Sequence, residues 1–159
     1  MTTREELVDG FRMIIREGLR TTRDFSPQDW KQVVHDDEGG WTRKQVYSHL
    51  TSTAELTPGL IGALANAAED QDAGAGLDIG AFNAQQVAAR EDMGTEDLMQ
   101  KFEDSYRNLI DFVQGMPEDQ LTLKRRFGAL EAPVADMMAS VLVLHSLSHI
   151  YLASTRAFV

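Results

Sequence analysis

The chain has 159 residues, with 15 Lys and Arg against 25 Asp and Glu, a formal net charge of −10 and no cysteine. These figures exclude disulfides, cysteine-held metals and any thiol nucleophile supplied by the protein itself. They also argue against nucleic acid or an anionic membrane as partner, because phosphate binding needs clustered Lys and Arg.

The length fits a single domain over residues 1–159, long enough to bury a core without staples. The N-terminus is charged from Arg4 onward and has no apolar leader. The longest contiguous apolar runs, near Val141–Leu144 and residues 60–68, fall short of the ~20 residues of a membrane span. A cytoplasmic protein without a membrane segment is expected.

The periodicity is helical almost throughout. In residues 4–24, Leu7, Phe11, Ile14, Ile15, Gly18 and Leu19 recur at offsets of three and four and make one apolar stripe. Phe25-Ser26-Pro27 ends that helix, since the residue before proline is pushed out of helical geometry. Trp30 and the loop His35-Asp36-Asp37-Glu38-Gly39-Gly40 follow, with His35 expected in solvent. Thr42, with Gln45 three residues on, forms a capping-box pattern for a second helix bearing Val46, His49, Leu50 and Thr53 on one face. Pro58 should break or kink it, or the helix resumes toward Ala67.

Residues 69–80 are the weakest stretch for regular structure and the best candidate for mobility. A short helix is predicted over Ala81–Arg90. A long one begins with Thr95 as N-cap and buries Leu98, Phe102, Tyr106, Leu109 and Val113, closing at Gly115 and Pro117. Residues 118–132 read as irregular, with a basic patch at Lys124-Arg125-Arg126 and a weak strand signal over Leu121–Phe127. The last helix starts near Pro133 and runs to about Ala157, with an apolar face of Val134, Met137, Met138, Val141, Leu142, His145, Ser148, His149 and Leu152. Four long helices with intervening loops fit an all-α antiparallel four-helix bundle.

His145 and His149 are four apart and project from one helix face, one turn above the other. Such a pair offers two nitrogens to one divalent cation. On its own the pair is a weak signal, which two core imidazoles satisfied by backbone or hydroxyl oxygens also explain. His49 also lies on an apolar stripe, so three of the four histidines face the core. Burying several imidazoles without partners is costly, and a shared cation satisfies them together.

The stretch Trp41-Thr-Arg-Lys-Gln-Val-Tyr-Ser-His49-Leu resembles the signature of the DinB/YfiT-like superfamily. Asp78-Ile-Gly-Ala-Phe82-Asn83-Ala, followed by Val87, Arg90 and Thr95-Glu96-Asp97-Leu98, resembles the middle of its mycothiol-dependent maleylpyruvate isomerase branch. His145-Ser-Leu-Ser-His149 matches the superfamily's C-terminal histidine pair, and the ordered motifs span nearly the whole chain.

The resemblance implies a four-helix bundle, a homodimer, and a histidine triad of His49, His145 and His149 holding a divalent metal, zinc or nickel foremost. It further implies S-transferase or isomerase chemistry with a low-molecular-weight thiol (glutathione, mycothiol or bacillithiol) acting on a small electrophile. The isomerase branch carries glutamate where this chain has His145, and its larger C-terminal domain is not among these 159 residues. A metal-dependent hydrolase and a non-enzymatic, metal-binding or stress-linked bundle are the other readings. Asn83, Glu55, Tyr151, Arg125 and Arg126 are lesser candidates for the surroundings of the site. The seven methionines read as core filling.

Overall fold

Thr3 opens the first helix, α1 (Arg4–Thr22), through a reciprocal capping box with Glu6. The computed structural model describes residues 1–35, 40–68 and 71–155. A one-turn helix α2 (Pro27–Trp30) follows, capped by Ser26 and Asp29. A minimal antiparallel pair, β1 (Val33–His35) and β2 (Trp41–Thr42), then leads into α3 (Arg43–Asn66). The acidic run 36–39 and the side chain of His35 lie outside what is described.

The chain continues through α4 (Ile79–Ala88), α5 (Thr95–Gly115) and α6 (Glu118–Thr122). The hairpin β3 (Lys124–Phe127) and β4 (Leu130–Pro133) precedes the last helix. That helix runs as α7 (Val134–Met138), a π-helical segment (Ala139–Leu144) and α8 (His145–Ser154). The four long elements, α1, α3, α5 and the last helix, form a four-helix bundle.

Several expectations are corrected. Of the two outcomes open at Pro58, α3 takes the second and continues to Asn66; burial of Ile61 and Leu64 beyond the proline outweighs one lost backbone bond. The N-cap of α5 is Gly94 rather than Thr95, and Leu98 N–H closes the first turn on the Gly94 carbonyl. Asp78 caps α4, which therefore starts two residues before the expected Ala81. Residues 118–132 are ordered into α6 and the hairpin, turned by Gly128 at φ 61°. Asp72 pins the preceding loop to that hairpin by accepting from the Gly74 and Gly128 amides, each at 2.8 Å. These bonds hold its carboxyl below the usual range.

An aromatic chain runs through the core from Phe25 to Trp30, Tyr47, Phe102, Tyr106 and Phe11, with centroids 5.0–6.3 Å apart. Burial pushes the phenols of Tyr47 and Tyr106 far up from their ordinary value. Gly18 makes room for this chain: a Cβ there would meet the Phe102 ring at 2.7 Å. Gly18→Ala is therefore expected to cost about 1–3 kcal/mol, read as a lowered urea midpoint at unchanged m-value.

The π segment has a sequence cause. Val134, Met138, Leu142, Ser146 and Ile150 are all buried, at a strict spacing of four. At 3.6 residues per turn such a set drifts by about 40° per step, and wider i→i+5 turns take up that drift. The turn also rolls the helix away from its expected face. Val141 is 40% exposed and Ser148 is exposed, while Ser146, Ile150 and Ala153 take the interior.

Taken whole, Val134–Ser154 has the length and a mean hydropathy, 1.4, that could cross a bilayer, although its contiguous apolar runs are short. It packs on α1 and α3 and turns two serine- and histidine-bearing positions, Ser146 and His149, inward, as a core helix does. Its outer face leaves Leu144 and Tyr151 at 65% and 69% exposure.

Candidate metal centre

His49 is set early in α3, whose first turn is fixed by the Thr42–Gln45 capping box. The buried Trp41 ring packs at 5.1 Å against the imidazole and limits its rotation. His145 is the first residue after the π segment, and His149 lies one turn further along α8. The structure brings all three histidines of the sequence reading together.

His145 Nε2 lies 3.1 Å from His49 Nε2 and 3.0 Å from His149 Nε2. His49 and His149 are each 3% exposed. With metal–nitrogen bonds of ~2.0–2.1 Å, two donors on one cation stand about 2.9–3.4 Å apart, from octahedral to tetrahedral angles. The observed spacings fall in that interval. Converging imidazole nitrogens also suit a cation chemically, because a neutral ring has one lone pair and facing lone pairs repel. Among the described residues, this is the group of His, Asp and Glu side chains close enough to hold one metal ion.

Arg43 was missed from the sequence. It is 2% exposed at the start of α3. Its Nε donates to the Ala153 carbonyl at 2.8 Å, and its terminal nitrogens reach the Thr155 carbonyl at 2.9 Å and the Asp29 carbonyl at 3.3 Å. The guanidinium also lies 4.7 Å over the Phe25 ring. It thus ties the helix bearing His49 to the end of the helix bearing His145 and His149. A cation in the first turn opposes α3's own dipole, and that mismatch was the available signal that it serves the C-terminus of another helix.

Glu55, also on α3, bridges to Arg90 near the end of α4 and to Lys101 of α5, the latter at 2.7 Å. Burial pushes its carboxyl up, but the hydrogen bonds from Lys101 and Arg90 outweigh this and hold it below the ordinary value. A depressed carboxyl contributes stability above its unfolded pKa and loses it as pH falls through the folded one. Glu55→Gln is accordingly expected to shallow the loss of Tm on acidification below about pH 4.5, checked by thermal melts from pH 7 to 3.

The remaining candidates fall away from the centre. Tyr151 points outward. Asn83 sits inside α4 and does not cap it. Arg125 donates to the Leu64 carbonyl at the end of α3, and Arg126 faces Glu131 across the hairpin at 3.7 Å.

Fold and centre together define a helical bundle that presents three imidazoles at one point between its helices. The chain belongs to the mycothiol maleylpyruvate isomerase N-terminal domain family, whose profile matches residues 11–147 and so includes His49 and His145. No curated protein matches it in sequence.

Two solved structures share the fold. YfiT from Bacillus subtilis, described as a probable metal-dependent hydrolase with an unusual four-helix bundle topology, superposes with a TM-score of 0.69 at 12% identity. That match covers 95% of this chain and 83% of YfiT. A histidine-to-alanine mutant of the mycothiol-dependent maleylpyruvate isomerase superposes at 0.67 and 16% identity. There the match covers 91% of this chain but only 60% of the isomerase.

Proposed function

We propose that His49, His145 and His149 hold a divalent cation, zinc or nickel, and that the protein is a metal-dependent enzyme transferring a low-molecular-weight thiol to a small electrophile. The observation that carries this is the convergence of three imidazoles inside the bundle, with His145 Nε2 at 3.1 and 3.0 Å from the Nε2 atoms of His49 and His149. A cation held there supplies Lewis acidity, which makes a thiol or water lose its proton at neutral pH. The chain's own part is to hold three neutral donors on a rigid frame: Trp41 limits the His49 ring, and Arg43 sets the two ligand-bearing helices against each other. The chain has no cysteine, so the sulfur nucleophile arrives with the cosubstrate.

Hydrolysis is the second reading, favoured by the description of YfiT. The zinc- or nickel-loaded protein separates the two. Conjugation of 1-chloro-2,4-dinitrobenzene that requires glutathione, mycothiol or bacillithiol supports the transferase. Thiol-independent cleavage of p-nitrophenyl acetate supports the hydrolase. Stoichiometric metal with neither turnover supports a binding role.

The homodimer implied by resemblance finds a candidate surface in Leu144 and Tyr151, exposed on the outer face of the last helix. Leu144→Glu is expected to convert a dimer to monomer in light scattering. An unchanged mass would place the contact elsewhere.

A further inference from the structure

The first turns of α3 and the last turns of α4 do not interlock. Val87 is the fully buried residue of α4. Ala84 and Ala88, four apart on the same face, are too small to fill the space beside it. Where packed helices normally mesh their side chains, a cleft of about 380 Å³ is left. That is within the ~300–1,000 Å³ of small-molecule sites. The α4 wall is apolar, and Trp41 stands on the other side.

The rest of the lining is rich in donors. Arg90 lines the cleft with its side chain 11% exposed. Its Nη1 donates to the Gln86 carbonyl at 2.7 Å and its Nη2 to Glu55, but its buried Nε has no acceptor among the described residues. Buried donors are almost always satisfied, so an unspent one on a cleft-lining guanidinium points to an acceptor from outside the chain. Charge points the same way. Glu55 is shared between Arg90 and Lys101, so one carboxylate answers two cations. Lys44 donates across the cleft to the Glu91 backbone carbonyl at 2.5 Å, a neutral partner that leaves its charge unanswered. Gln45 spends its side-chain oxygen on the Thr42 cap and keeps its amide N–H groups to offer.

We propose that this cleft binds a small organic monocarboxylate, with its anion among Lys44, Gln45 and Arg90 and its apolar body between Trp41 and the alanine face of α4. The site is separate from the three histidines and needs no cation. A guanidinium and an ammonium pair with a carboxylate through strong, charge-assisted hydrogen bonds. The exposed Glu91 side chain at the rim repels a second negative charge, which favours one carboxylate over two. An inorganic anion gains nothing from the apolar wall.

The test uses the metal-free protein with benzoate as probe, titrated by calorimetry and followed by ¹H–¹⁵N NMR. Benzamide, which has the same shape without the charge, should bind about 10-fold or more weakly than benzoate. Succinate and inorganic phosphate should also bind more weakly. The indole N–H resonance of Trp41 should move on titration while that of Trp30, outside the cleft, stays in place. Ala88→Leu, at an exposed helix position, fills the cleft and should abolish binding at unchanged Tm. Arg90→Gln should weaken benzoate by about 10-fold or more, and Glu91→Gln should tighten it about twofold to threefold at low salt. Benzamide that binds as tightly as benzoate, affinity unchanged in either Ala88→Leu or Arg90→Gln, or no saturable binding at millimolar benzoate would overturn the site. Should Arg90→Gln fail to fold, Ala88→Leu and the benzamide comparison decide.

Discussion

His145→Ala is expected to lower cation affinity by more than about 100-fold and to leave the purified protein without stoichiometric metal. Its Nε2 lies within 3.1 Å of both of the others, so removing it takes away a donor central to the set. Residues that merely support a ligand typically cost 10–100-fold when changed, and a ligand itself costs more. His145 is only partly buried, so the substitution opens little cavity and the helical content should be retained.

A sharper form is His145→Glu, which installs the residue found at this place in the isomerase branch that the sequence resembles. A carboxylate oxygen is also a zinc ligand, so this variant should keep metal where alanine loses it. Elemental analysis and calorimetric titration read both. Uptake should also fall on acidification, because imidazole must be neutral to ligate. Stoichiometric metal in His145→Ala would refute the site.

What could be read from the sequence follows from the range of each signal. The stripes of α1 and α5 are legible because Leu7, Phe11 and Ile14, or Leu98, Phe102 and Leu109, bury one face at ordinary helical spacing. The inward direction of His49 and His149 is legible for the same reason. That they meet is not, since 96 residues separate His49 from His145 and no local pattern encodes that distance.

The π segment hides in plain composition. Its four-residue spacing looks like a helix stripe until the drift is followed over several turns, and so Val141 and Ser148 were placed inward. The first hairpin strand, Lys124–Phe127, falls inside the weak strand signal, but its partner Leu130–Pro133 is too short to register, and the lone turn signal between them, Gly128, precedes an alanine. Pro58 leaves two outcomes open in the sequence because its local penalty is offset by burial of Ile61 and Leu64, which depends on contacts far along the chain.

The same long-range logic makes Arg43 the second large effect. Arg43→Met keeps most of the side chain's volume but removes every guanidinium donor. The Ala153 and Thr155 carbonyls, which it satisfies at 2.8 and 2.9 Å, lose their partner at the end of α8. A buried acceptor left unsatisfied costs about 1–3 kcal/mol. The expected loss is therefore about 3 kcal/mol, or roughly 6–12 °C in Tm for a chain of this size.

The consequence for the centre follows from position. Ala153 is one turn past His149, and Arg43 is fewer than two turns before His49. Releasing the contact lets α8 move against α3, and cation affinity should fall about tenfold or more at temperatures where the apo protein remains folded. Arg43→Lys should recover only part of either loss, because a single ammonium cannot reproduce the planar fork that reaches three carbonyls. If Arg43→Met lowers Tm but leaves the zinc Kd unchanged, the arginine anchors the helix end alone and does not position the histidines.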